Sequence, residues 1–124
     1  MTRSEMDQFL ESIGGLVNGY YPDRSPITDS LFFEVGEGWF PLIKALIEDL
    51  IALGWDKQVC QVKEKFGGLR FYINNHTDEM FHRIREAENE SVSICEVTGK
   101  PGYLRNHKGW YVTLCDEEYD KLIK

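Results

Sequence analysis

The sequence predicts an α+β domain in which helices pack on a small antiparallel sheet, closed by a C-terminal knuckle, hairpin and helix. Three observations predict it. Trp39, Leu42, Ile43, Leu46, Ile47, Leu50 and Ile51 recur at helical spacing and make one apolar stripe. Apolar and polar residues alternate from Cys60 to Ile73 on both sides of Gly67-Gly68, the pattern of a hairpin with one buried face. Cys95 to Lys124 then reads as knuckle, two short strands and a final helix. At 124 residues the chain is expected to form a single domain, 1–124, with 95–124 as a treble-clef-like subdomain.

A first helix is expected over Ser4 to Val17, with Met6, Phe9, Leu10, Ile13 and Val17 on one face and Ser4 as its cap. Gly14-Gly15 weakens its last turn, which favours an early end. Asn18 to Ser30 is a loop rich in turn residues, carrying Tyr20 and Tyr21 beside Pro22. Two such tyrosines suit an interface, and packing over the core edge is the expectation for one or both. Leu31 to Val35 is a strand or an extended arm.

The main helix runs from about Trp39 to Leu53, with Pro41 in its first turn and Gly54 as its stop. In the hairpin that follows, Val59 to Ile73, Gly67-Gly68 is read as the two-residue turn. Its polar face should carry Lys63, Lys65 and Arg70 with Tyr72 beside them, while Glu64 has the opposite parity and cannot neutralise them there. After a turn at Asn74 to His76, a third helix spans Thr77 to Ile94. Met80, Ile84, Ala87, Ser91 and Ile94 line its core side, and Arg83, Arg85, Glu86, Glu88 and Glu90 fill a solvated one.

In the C-terminal stretch, Cys95 opens the knuckle, and Gly99 and Gly102 give it its turns. Asn106 to Gly109 is a hairpin loop, and Cys115 opens a helix with Asp116, Glu117 and Glu118 in its first turn. A structural zinc needs four ligands, yet the second knuckle position is Thr98 and the second helix position is Glu118. A residual two-sulfur site could draw on Cys95, Cys115 and either His107 or Glu118. The expectation is that no metal binds, and that Tyr103, Trp110, Leu114, Tyr119 and Leu122 hold the finger by apolar contact.

The run Gln61-Val-Lys-Glu-Lys-Phe-Gly-Gly-Leu-Arg-Phe-Tyr72, a helix, a Cys-Glu-x-x-Gly-x-Pro-Gly knuckle and a Trp-x-x-Thr-Leu-Cys helix start resemble a family of small uncharacterised bacterial and phage proteins. The resemblance spans roughly Leu31 to the C-terminus. It implies a zinc-finger-like end that has lost ligands at Thr98 and Glu118, and a protein directed at a bacterial host, for instance at a defence system.

The net charge of −7 is lopsided: residues 1–62 carry 4 basic and 10 acidic side chains, and residues 63–124 carry 10 and 11. An acidic chain is repelled by nucleic acid unless it holds a local cation cluster. The three cysteines lack disulfide spacing, the N-terminus is polar and acidic, and no apolar run of about 18 residues occurs. The cytoplasm is therefore the expected compartment, with no membrane partner.

No His-Glu-x-x-His or Gly-x-Ser-x-Gly element is present, and Cys60 reads as a small buried hydrophobe. The chain is thus read as a non-enzymatic binding protein without cofactor and with a protein partner. The alternative is a nucleotide or single-stranded nucleic-acid binder. The candidate binding residues are Lys63, Lys65, Arg70 and Tyr72 on the hairpin, and Tyr20 and Tyr21 on the loop.

Overall fold

In the computed structural model, which describes residues 1–22 and 25–124, Thr2 starts the first helix, α1 (Arg3–Ser12). Its hydroxyl accepts the Glu5 N–H at 3.1 Å, and the Glu5 carboxylate accepts the Thr2 N–H at 2.9 Å. This reciprocal box satisfies two end groups, so Thr2 rather than Ser4 is the cap. The helix ends before Gly14-Gly15. Val17, expected as its last residue, instead enters β1 (Val17–Asn18). The loop expected over 18–30 includes Asp23 and Arg24, which lie outside the described residues.

The main sheet is built on β3 (Gln58–Lys65). β4 (Gly68–Ile73) runs antiparallel along one edge. The other edge takes β1 and then β2 (Phe33–Glu34), both parallel, with Val17 beside Gln58 and Phe33 beside Val62. The sheet is therefore mixed, where an antiparallel one was expected. Two-residue strands are too short to show an alternating pattern, so their direction left no mark in the sequence.

Behind the sheet lie α2 (Phe40–Ala52) and α3 (Asp78–Ser91), the latter capped by the Thr77 hydroxyl. The predicted stripe from Trp39 to Leu50 is buried, together with Met6 and Leu10 of α1. It meets Val59, Val62, Leu69 and Phe71 from the sheet and Met80, Ile84 and Ala87 from α3 in one core. Trp55, just past α2, adds an edge-on contact to Phe71 at 6.0 Å between ring centres.

The hairpin turn sits one residue earlier than expected. Lys65 pairs with Gly68, which leaves Phe66-Gly67 as the two loop residues, with φ of 53° and 83°. Both positive values are those of a type I′ turn, and the Glu64 carboxylate fixes the frame by accepting the Gly67 N–H at 2.7 Å. The C-terminal hairpin repeats this design. β5 (Tyr103–His107) and β6 (Trp110–Leu114) join through Lys108-Gly109, and the Asn106 side chain accepts the Gly109 N–H at 2.8 Å. A two-residue turn thus replaces the four-residue loop expected there. α4 (Asp116–Ile123) closes the chain, with Cys115 as its N-cap.

The knuckle is joined to the main body backbone to backbone. Gly38 donates to the Glu96 carbonyl at 2.8 Å, and a Cβ on Gly38 would stand 2.1 Å from the Cys95 carbonyl oxygen. Only glycine fits that approach. The Trp39 indole donates to the Ile94 carbonyl at 2.8 Å, and the buried Thr113 hydroxyl donates to the Gly67 carbonyl at 2.6 Å. Cys95, Leu114 and Cys115 form a second small core with Val112, Tyr119 and Leu122 against it. Tyr103 and Trp110, expected to hold this finger, are exposed on the strand surface. Arg105 takes up part of that role: its guanidinium stacks 4.5 Å from the Tyr119 ring centre and pairs with Asp116 at 2.7 Å.

Candidate binding face and groove

The pleat places Val62, Leu69 and Phe71 inward, so the residues between them lie on the opposite face of the hairpin. Lys63 stands directly across the ladder from Arg70, Gln61 from Tyr72, and Lys65 from Gly68. The four hairpin residues named from the sequence therefore share one face. Lys63 opposite Arg70 is a like-charge cross-strand pair, an arrangement that destabilises a sheet. The described ion pairs join Arg83 to Asp49, Lys100 to Glu117, Arg105 to Asp116 and Lys121 to Glu118. None of the hairpin cations takes part in them. Glu34 lies next to Lys63 in the β2–β3 register without pairing with it, and Glu64 is turned to the hairpin loop.

The tyrosines of the loop are exposed rather than packed on the core edge, Tyr20 at 70% and Tyr21 at 56%. The Asn18 side chain accepts both backbone N–H groups and fixes the turn. Tyr20 joins the hairpin face through a shallow recess of about 350 Å³ that it shares with Leu31, Glu34 and Gln61.

On the far side of the face, β4 has a free edge. Its outward N–H groups are satisfied by α3: Leu69 N–H by the Ser91 hydroxyl at 2.9 Å and Phe71 N–H by the Glu88 carboxylate at 3.2 Å. Side chains therefore blunt the edge, where a pairing strand would otherwise add. Between β4 and α3 a groove of about 570 Å³ remains, and Arg70, Tyr72, His76, Phe81, Arg85 and Phe66 are among its walls. Sequence reasoning missed its α3 wall. Phe81, Arg85, Glu88 and Val92 follow one another at helical spacing, a second stripe hidden in what read as a solvated face.

At the knuckle, burial raises the Cys95 thiol, but hydrogen bonds from the Thr98 hydroxyl and the N–H groups of Cys115, Thr98 and Val97 outweigh it and bring it below its ordinary value. The Thr98 oxygen stands 3.8 Å from the Cys115 sulfur. The contact is a hydrogen bond between the Thr98 hydroxyl and the Cys115 thiol. His107 packs edge-on against Tyr119, and Glu118 is paired with Lys121. Among the described residues no three His, Cys, Asp or Glu side chains gather in a group able to hold a metal.

Cys60 is half-buried. Burial pushes its thiol up, and it donates to the Asn74 side chain at 2.9 Å. Among the described residues no helix is long and apolar enough to cross a membrane.

No protein-family model, curated protein or solved structure matches this chain.

Proposed function

We propose that this chain is a non-enzymatic binding protein whose working surface is the outward face of the β3–β4 hairpin, and that its partner is a protein with an acidic patch. One observation carries the reading. Lys63 and Arg70 are set opposite each other in an acidic chain, and among the described residues neither is in an ion pair that would relieve them. Such a pair weakens the isolated fold, and an incoming carboxylate would relieve it. Lys65 extends the cations towards the turn, and Tyr72 and Tyr20 flank them with rings that are apolar on the face and polar at the tip. On the family resemblance, the partner is a bacterial host protein.

The test is differential capture from bacterial lysate. A protein retained by the native chain at low salt and released by Lys63→Glu with Arg70→Glu supports the reading. A partner retained equally by both rules the face out.

A second reading, a nucleotide ligand, is favoured by the groove beside β4, which is a concavity of small-molecule size rather than a flat face.

A further inference from the structure

We infer that the β4–α3 groove is a binding site for a mononucleotide, with Arg70 and Arg85 on its phosphate and the rings of Tyr72, Phe81 and His76 beside its base. The site shares Arg70 and Tyr72 with the hairpin face but stands without a protein partner. At about 570 Å³ the groove has the volume of small-ligand sites and is far from the extended surface a protein partner needs. Its two guanidiniums come from different elements, β4 and α3, and neither is in an ion pair among the described residues. Arg70 spends one donor on the neighbouring Leu69 carbonyl at 2.8 Å, which holds the side chain along the strand and leaves its other donors for a ligand.

The carboxylate in the lining, Glu88, is turned to the strand by the Phe71 N–H, so it does not cancel Arg85 by pairing with it. The ring wall is preformed: His76 and Phe81 stack with centres 5.7 Å apart. A base adds to such a wall without reordering it, and rings beside cations suit a group that is aromatic at one end and anionic at the other.

Phe66 gives an independent sign. Its ring lines the groove and is 68% exposed, on a backbone with φ of 53° that bulky residues rarely adopt. The ring stands outside the core, at the hairpin end of the groove, with the Lys65 ammonium 5.5 Å from its centre.

Calorimetric titration of the native protein with adenosine and uridine monophosphate, adenosine, inorganic phosphate and a five-residue oligothymidylate tests this. A monophosphate should bind, with adenosine and phosphate alone weaker by more than about tenfold. Arg85→Gln and Phe81→Ala, each checked for an unchanged unfolding transition, should each weaken the monophosphate by about tenfold or more. Three results would overturn the assignment: no heat with either monophosphate at millimolar concentration, an oligonucleotide that binds far more tightly than either, or folded variants with native affinity. None of these bears on capture of a protein at Lys63, so the two readings fail separately.

Discussion

Lys63 and Arg70 meet as direct cross-strand partners on the open face of the β3–β4 hairpin. Removing one of the two like charges should stabilise the fold. Lys63→Gln is expected to raise unfolding free energy by about 0.2–1 kcal/mol in low salt. Added salt should shrink the gain as it screens the pair. Urea denaturation at two ionic strengths checks both points. A loss of stability would mean that Lys63 has a favourable contact in the native state.

Phe66 is a poor fit to the first position of a I′ turn, which favours Asn, Asp or Gly. Phe66→Asn keeps the turn, suits positive φ, and should stabilise the hairpin by about 1 kcal/mol. The same change removes a ring from the groove. Thermal unfolding and ligand titration should therefore move in opposite directions, a stability gain with a binding loss.

Thr113 connects the two hairpins through a single buried hydroxyl. Thr113→Val has nearly the same shape but leaves the Gly67 carbonyl without its donor. The expected loss is about 1–3 kcal/mol. Hydrogen exchange should show added opening at the Phe66-Gly67 turn, since that is where the lost bond acted.

Glu96 titrates in a half-buried position at the joint between knuckle and main body. Burial raises its carboxyl above the ordinary 4.5, and the Glu64 charge adds to the rise, opposed by the hydrogen bond from the Gly36 N–H. In the window above 4.5 the folded state holds more protons than the unfolded one. Glu96 therefore contributes stability below that pH and loses it as pH rises through the native value. Glu96→Gln keeps an oxygen for the Gly36 N–H and removes the charge. Melting temperature measured from pH 4 to pH 8 should fall less with pH in the variant than in the native chain.

The sequence carried the parts of this fold that depend on long periodicity. The Trp39 to Leu50 stripe and the alternation through β3 and β4 both survive as buried faces because a dozen residues repeat the same pattern. Where a single residue decides, the pattern was silent. Gly67 and Gly68 both accept positive φ, so composition left two frames for the turn, and the Glu64 side chain chose between them. Tyr103 and Trp110 read as core because of their size, and parity does put them on the face of Val112 and Leu114, yet both stay exposed there. The hairpin side of the candidate site was legible from parity. Its α3 wall was not, since Arg85 and Glu88 look like ordinary surface charges until β4 is placed beside them.

The measurement that tests the central claim most directly is capture at the hairpin face by the native chain and by the folded Lys63→Glu, Arg70→Glu double variant, side by side in low salt. The account predicts an acidic protein that is bound by the native chain, eluted by added salt and absent from the variant. The same protein held with equal strength by both chains would contradict it.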